Sequence, residues 1–384
     1  MKFFIIDTYY PAFLQSFYGQ HPDLAGYPYE QQWRLLMDRC FGTADFYSAN
    51  LNELGHEAVE VVANCEALQF KWAEEQGIEL PGRRWRVSIK KGFLPWPQRV
   101  QSTDWVYLVL QAQVKHHRPD VLFIQDMNNT SSAFLQDVRP YVRFIVGQIG
   151  CLICPEANFR PYDLILTSFP NFVEQFQRQG LASEYFNLGF DPRLLAHLKK
   201  EEFQYQTAFV GSLTDQHIER IGLLSQIASA HPVDLWGYGI ETLEPKSPLH
   251  ASYHGQAWGL DMYNILYNSN ITLNNHGKIA GRFANNMRLY EATGVGTLLI
   301  TDYKDNLHTL FEPGSEVIAY KSTEECVELV TYYLAHKEER QAIARAGQQR
   351  TLREHSYLHR MQELVNIIER QLYNPKREAR KFFL

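Results

Sequence analysis

Short apolar runs alternate with longer segments of helical period along most of this chain, the pattern of βαβ units built on parallel sheets. In the N-terminal half the strand candidates are KFFII (2–6), HEAVEVV (56–62), DVLFIQ (120–125), RFIVGQI (143–149) and DLILTS (163–168), each short and mostly apolar. Between them, residues 29–54 and 105–116 carry apolar side chains at helical spacing, and 171–179 begins with an asparagine suited to capping a helix. The polar stretch after GFDPRL (189–194) marks a domain junction. A second series then follows, with strands at TAFVGS (207–212), VDLWGYG (233–239), ITLNN (271–275), GTLLITD (296–302) and EVIAY (316–320). All but the last run into Gly, Asn, Asp or His clusters, and the carboxyl ends of parallel strands are where open α/β sheets place ligands. From Thr323 onward the spacing predicts helices. The fold class expected is α/β with two Rossmann-like domains, residues 1–190 and 191–355, and a C-terminal helix, 356–384, returning to the first.

The segment 82–99 (GRRWRVSIKKGFLPWPQR) breaks the alternation. Basic and aromatic, it reads as a solvated loop or hairpin, or as a contact for an acidic acceptor or a membrane surface.

Bulk properties narrow the function classes. A length of 384 residues exceeds what one core usually organises, and 45% hydrophobic with 21% charged residues leaves no sign of disorder. The balance of 37 basic and 43 acidic residues, net −6, argues against a nucleic-acid partner and leaves membrane association peripheral at most. The opening MKFFIIDTYY, its apolar run cut by Asp7, is too short for a signal peptide or a span, so a cytoplasmic location is expected. Five cysteines make no disulfide framework, and the C-x-x-C of Cys151 and Cys154, lacking a second pair or a histidine cluster, reads as ordinary, partly buried thiols.

The most informative region is NNHGKIAGRFANNMRLYEATGVGTLLITD (274–302), which reads as strand, glycine loop, helix, glycine turn and strand. Gly277 and Gly281 let the backbone approach a ligand. The helix beginning near Asn285 or Asn286 offers unpaired N–H groups and a positive dipole end suited to a diphosphate. Lys278, Arg282 and Arg288 lie around it as candidate charge-assisted donors. Arg288 and Glu291 share a helix face: Glu291 can accept both hydroxyls of a ribose, or the two form an ordinary ion pair on a solvated face. In the N-terminal half, Asp7, Tyr9, Tyr10, Asp126, Asn128 and Gln148 follow strands and would face an interdomain cleft; each can equally cap a helix or turn.

From Ala208 to about Leu364 the chain resembles the nucleotide-sugar domain of GT-B glycosyltransferases, and specifically their CgeB-like, spore-maturation branch. The segments are FVGSLTDQHIERIGLL (209–224), LWGYG (235–239), YNSNITLNNHG (267–277), NMRLYEATGVGTLLITD (286–302), LFEPGSEVIAY (310–320) and REHSYLHRM (353–361). RPDVLFIQD (118–126), YDLILTSFPNFVEQFQRQG (162–180) and NLGFDP (187–192) resemble the same family more loosely. The resemblance implies two domains facing across a cleft, C-terminal helices packing back toward the first, and transfer of a sugar from a nucleotide diphosphate sugar to a glycan, lipid or small-molecule hydroxyl. It also implies a donor site formed by Gly211, Ser212, Trp236, Gly237, Tyr238, Gly277, Lys278, Gly281, Arg282, Asn286, Arg288 and Glu291.

Within that site Glu291 aligns with the second glutamate of an E-x7-E pattern that binds the donor ribose; eight positions earlier stands Phe283, so the first glutamate is missing. His276, Lys278 or Arg282 would contact the sugar instead. Arg220 would neutralise the donor phosphates, or form a surface salt bridge. Trp236 would line the base pocket, or belong to the core. Asp126 is the base candidate for an inverting reaction, whereas the resemblance favours retention, in which no protein base is strictly required. Neither metal nor separate cofactor is expected, because arginines and a helix end would stabilise the leaving diphosphate. The other classes kept open are a non-catalytic binder of sugar nucleotides or glycans and an NDP-sugar epimerase.

Overall fold

A computed structural model describes residues 1–80, 85–88, 96–99, 104–202, 205–214 and 217–372. The first sheet has the order β2-β1-β5-β6-β7-β8, from β1 (Lys2–Asp7), β2 (Glu57–Val62), β5 (Val121–Ile124), β6 (Phe144–Gln148), β7 (Leu164–Thr167) and β8 (Ser183–Tyr185). β1 pairs in parallel with β2 and β5, and β5 with β6. β1 is apolar almost throughout because both its faces are covered: Phe3, Phe4, Ile5 and Ile6 are all buried. At about 1.5–3 kcal/mol for each large side chain removed from water, such strands carry much of the folding free energy.

The second sheet has the order β10-β9-β11-β12-β13, all parallel: β9 (Tyr205–Val210), β10 (Asp234–Trp236), β11 (Ser269–Leu273), β12 (Leu298–Asp302) and β13 (Ile318–Tyr320). Its core gathers Leu224, Leu235, Ile271, Leu298, Ile300 and Val330, none of them exposed to solvent. By internal contacts the chain divides into one compact unit of residues 1–38, 55–149 and 153–165 and another of 39–54, 150–152 and 166–384.

The helices are α1 (Pro11–Gln20), α2 (Tyr29–Met37), α3 (Phe46–Glu53), α4 (Glu66–Glu75), α5 (Asp104–His117), α6 (Ser132–Val138), α7 (Pro170–Arg178), α8 (Ile218–Ala230), α9 (Leu260–Tyr267), α10 (Met287–Val295), α11 (Leu307–Leu310), α12 (Thr323–Ala335), α13 (Lys337–Glu354) and α14 (Tyr357–Leu372). The strands named from the apolar pattern and the C-terminal helices lie where it puts them, whereas β8 is a short strand that the pattern does not mark. Residues 29–54 are not one helix but two, because Cys40, Gly42 and Ala44 take positive φ values of 52°, 60° and 43° between α2 and α3. α7 starts at Pro170 behind an uncapped Phe169, so Asn171 sits in its first turn and not at its cap. α14 lies against α3, with the Tyr357 ring 5.5 Å from that of Phe46; the last part of the expected C-terminal segment, 373–384, is outside the described residues.

In the basic aromatic segment, β3 (Trp85–Ser88) and β4 (Trp96–Arg99) pair as an antiparallel hairpin, with residues 89–95 outside the described ones. Cys40, Cys65 and Cys326 are buried thiols, whereas Cys151 and Cys154 are both exposed, a correction to the partial burial expected of that pair. Among the described residues no helix is long and apolar enough to cross a membrane.

Candidate functional site

The carboxyl ends of β9, β11 and β12 bring together most of the residues singled out in 274–302. α10 opens with Asn286 at its N-cap, but that side chain does not cap the helix. It pairs instead with Asn274, donating from Nδ2 to Oδ1 at 2.9 Å and accepting from Asn274 Nδ2 at 3.3 Å. The positive end of α10 therefore has no side-chain oxygen lying across it.

Arg288 and Glu291 do form an ion pair, with Nη1 2.8 Å from Oε2, but not on a solvated face: their side chains are 13% and 7% exposed. Every residue of α10 from Leu289 to Val295 is buried. Arg288 also donates from Nη2 to the carbonyl of Val210 at 3.0 Å, and the buried Tyr263 hydrogen-bonds Glu291. Burial pushes the Glu291 carboxyl up, and the Arg288 charge and the Tyr263 hydroxyl only partly offset it.

Arg220, on α8, is not in a surface salt bridge. It is 9% exposed, donates from Nη1 to the carbonyl of Ser212 at 3.0 Å and from Nη2 to that of Asn275 at 2.8 Å, and lies over the Phe209 ring. It thus ties the loop after β9 to the loop after β11. Burial lowers its pKa, against the opposing influence of Tyr320 and Asp302.

His276 is buried. Its Nδ1 lies 2.7 Å from Asp302 Oδ1, and its backbone N–H donates to the same oxygen at 2.9 Å. Asp302 stands at the end of β12, and Lys304 Nζ is 3.2 Å from its Oδ2. Burial opposes ionisation of Asp302, yet the hydrogen bonds from His276 and the charge of Lys304 outweigh it and hold the carboxyl below its ordinary range. Lys278 and Arg282 are different: their side chains are 71% and 74% exposed and pair with Glu219 and Asp305. Gly281 has φ 54° and ψ −116°, so its turn requires glycine, whereas Gly277 has an ordinary φ of −66° and a Cβ there would touch only Ile279, at 3.9 Å.

The loops after β9 and β10 are zipped together, with Gly211 N–H donating to Trp236 O and Leu213 N–H to Tyr238 O. A Cβ on Gly237, at φ 142°, would lie 1.9 Å from Gly211 O, which accounts for that glycine by packing alone. Trp236 is buried, stacked on His254 at 4.8 Å and edge-on to Tyr205. The accessible aromatic is Tyr238, 40% exposed and stacked on Trp258, a residue that no sequence motif marks.

At the carboxyl edge of the first sheet, Thr8 joins two carboxylates. Its N–H donates to Asp7 Oδ1 at 2.7 Å and its hydroxyl to Asp126 Oδ2 at 2.6 Å. Asp126 also accepts from the backbone and side chain of Asn129, which makes it the anchor of a turn. Asp7 accepts no further hydrogen bond among the described residues, and burial, with Asp126 nearby and the Thr8 N–H opposing, pushes it up to about 7. Asn128 Oδ1 accepts from the Cys154 N–H, and Gln148 ends β6. Tyr10 is 53% exposed, but Tyr9 is buried against Phe13 and is no surface group.

Residues 218–366, from the start of α8 into α14, match a family model described as glycosyl transferase-like. No curated protein matches the sequence. Solved structures similar to nearly the whole chain include Anabaena HepE in complex with UDP-glucose (TM-score 0.58, 12% identity, 96% of this chain and 99% of that one). A glycosyltransferase from Rickettsia africae superimposes with TM-score 0.57 at 11% identity over 97% of this chain and 99% of that one. The pneumococcal O-GlcNAc transferase GtfA in complex with UDP and GlcNAc does so with TM-score 0.55 at 9% identity, again over 97% and 99%. The fold is the GT-B fold. At these identities the likeness is one of architecture, and the site rests on its own geometry.

Proposed function

We propose that this chain is a glycosyltransferase of the CgeB-like branch, moving a sugar from a nucleotide diphosphate sugar to a hydroxyl of a glycan, lipid or small-molecule acceptor. The observation that carries the reading is the start of α10, uncapped by any side chain, with Arg288 in its first turn and Arg220 of α8 hydrogen-bonded to the adjoining loops, inside the segment that matches the glycosyl transferase-like family. A helix start and two guanidinium groups supply countercharge for a diphosphate leaving group, and the reading invokes no metal. Complexes with UDP-glucose and with UDP and GlcNAc among the structural neighbours agree with a nucleotide-sugar donor. The resemblance points to retention at the anomeric carbon; Asp7, a carboxyl whose second oxygen has no hydrogen-bond partner among the described residues, is the base that an inverting course would use.

The test is a thermal-shift panel of UDP, GDP, TDP, ADP and CMP with their sugars. A ligand present at 100 times its Kd stabilises the folded chain by about 2.7 kcal/mol, which a melting curve resolves. If no nucleotide or nucleotide sugar raises the melting temperature, the reading is abandoned. Phe283, standing where the related pattern has a glutamate, favours a second reading, a binder without chemistry. Slow release of nucleoside diphosphate from the donor without acceptor excludes it.

A further inference from the structure

Three side chains of the loop after β11 are chemically able to meet a ligand, and the structure separates them. Lys278 and Arg282 are solvent-exposed and ion-paired with Glu219 and Asp305. The His276 side chain is 1% exposed. Its Nδ1 and its own backbone N–H both address Asp302 Oδ1, and Lys304 braces the other carboxylate oxygen while donating to the carbonyl of Gly281 at 2.8 Å. The ring is thereby fixed from one side. On the other side, Nε2 is buried and has no hydrogen-bond partner among the described residues.

A buried nitrogen without a partner is unfavourable, and a ligand group that reached Nε2 would relieve that cost. The chemistry of that missing partner follows from Asp302. With the ring neutral, a carboxylate taking the Nδ1–H leaves a lone pair on Nε2. A lone pair cannot bind a phosphate oxygen, which is itself an acceptor. It needs a donor: in a nucleotide diphosphate sugar these are the hydroxyls of the two sugars and the N–H groups of the base, and the ribose hydroxyls are the ones the resemblance gives to Glu291.

We propose that His276 accepts a hydrogen bond through Nε2 from a hydroxyl of the transferred sugar, and that Asp302 positions its ring. This rests on the reading that the chain binds a nucleotide sugar. His276 contributes to the sugar and not to the nucleotide, so its effect falls on the difference in affinity between the two.

The experiment measures, by calorimetry, the Kd of UDP and UDP-glucose, GDP and GDP-mannose, and TDP and TDP-glucose for the full chain, and takes the pair whose sugar adds affinity. His276→Ala is expected to lower the added affinity about 5- to 10-fold, the worth of one hydrogen bond, with the free nucleotide bound within twofold of wild type. Asp302→Ala behaves the same, while Asp302→Asn, whose amide oxygen still accepts from Nδ1, restores most of the loss. The ¹⁵N resonance of His276 Nε2 in the wild-type chain gives a readout that needs no variant to fold: it moves on binding the nucleotide sugar and stays when the nucleotide alone binds. Equal losses for nucleotide and nucleotide sugar, no loss for either, or the same ¹⁵N shift with both would overturn the proposal while leaving the functional reading intact. If the wild-type chain binds none of the six probes, that reading falls and this proposal with it.

Discussion

Nη1 of Arg288 lies 2.8 Å from Oε2 of Glu291 in a helix with almost no solvent around it. Removing one partner of a buried pair strands the other. Arg288→Ala is therefore expected to destabilise the chain by about 3–5 kcal/mol, read as a lower denaturation midpoint in urea. The double replacement Arg288→Met with Glu291→Leu should recover most of that stability without recovering nucleotide affinity. A stable single variant that still binds nucleotide would show that neither the pair nor the charge matters.

Asp7 makes stability fall as pH rises. Its native carboxyl keeps a proton to about pH 7, whereas the unfolded one releases it near 3.8, so between these values the folded chain binds more protons. The expected loss across this window is roughly 4 kcal/mol at most. Asp7→Asn should match wild type near pH 4 and exceed it at pH 8, as measured by urea unfolding at both. An unchanged difference between the two pH values would show that Asp7 titrates normally.

His355 works in the opposite sense. Burial, reinforced by Arg360 and Arg350 against a bond to the Leu310 carbonyl, lowers its pKa from 6.5 to about 4. The unfolded chain therefore binds the extra proton between these values, and stability present above pH 6.5 is lost as pH falls toward 4, by about 3 kcal/mol. Wild type sums this with the Asp7 contribution. The acid-side loss should consequently steepen in Asp7→Asn and flatten in His355→Gln, which melting curves between pH 4 and 7 would reveal.

Gly237→Ala tests the seam between the loops after β9 and β10. The new methyl group would sit 1.9 Å from Gly211 O, and φ 142° is one that an L side chain rarely adopts. A loss of at least about 2 kcal/mol is expected. A melting temperature equal to wild type would mean that the seam opens at little cost.

The strands were legible because parallel strands buried on both faces leave unbroken apolar runs, such as Phe3 to Ile6 and Leu298 to Ile300. α4 was not: it buries only Leu68, Gln69, Trp72 and Ala73, too few apolar positions for a period to stand out. The i, i+3 spacing of Arg288 and Glu291 was visible, but their burial comes from packing remote in sequence, as where Thr293 of the same helix meets Thr351 at 2.6 Å. Asp302 stood in plain view at the end of GTLLITD, yet its role depends on His276, 26 residues earlier. The link from Thr8 to Asp126 spans 118 residues and has no local signature.

Arg220 and Arg288 both spend N–H groups on main-chain carbonyls at the ends of β9 and β11. Cations held this way do not swing toward an arriving anion, nor need they be ordered by it. Their rotamers are already set when the chain folds, so a negatively charged group meets a standing field whose strength changes little between the empty and occupied states. Nucleotide affinity here should accordingly depend on where the anion sits and far less on side-chain rearrangement.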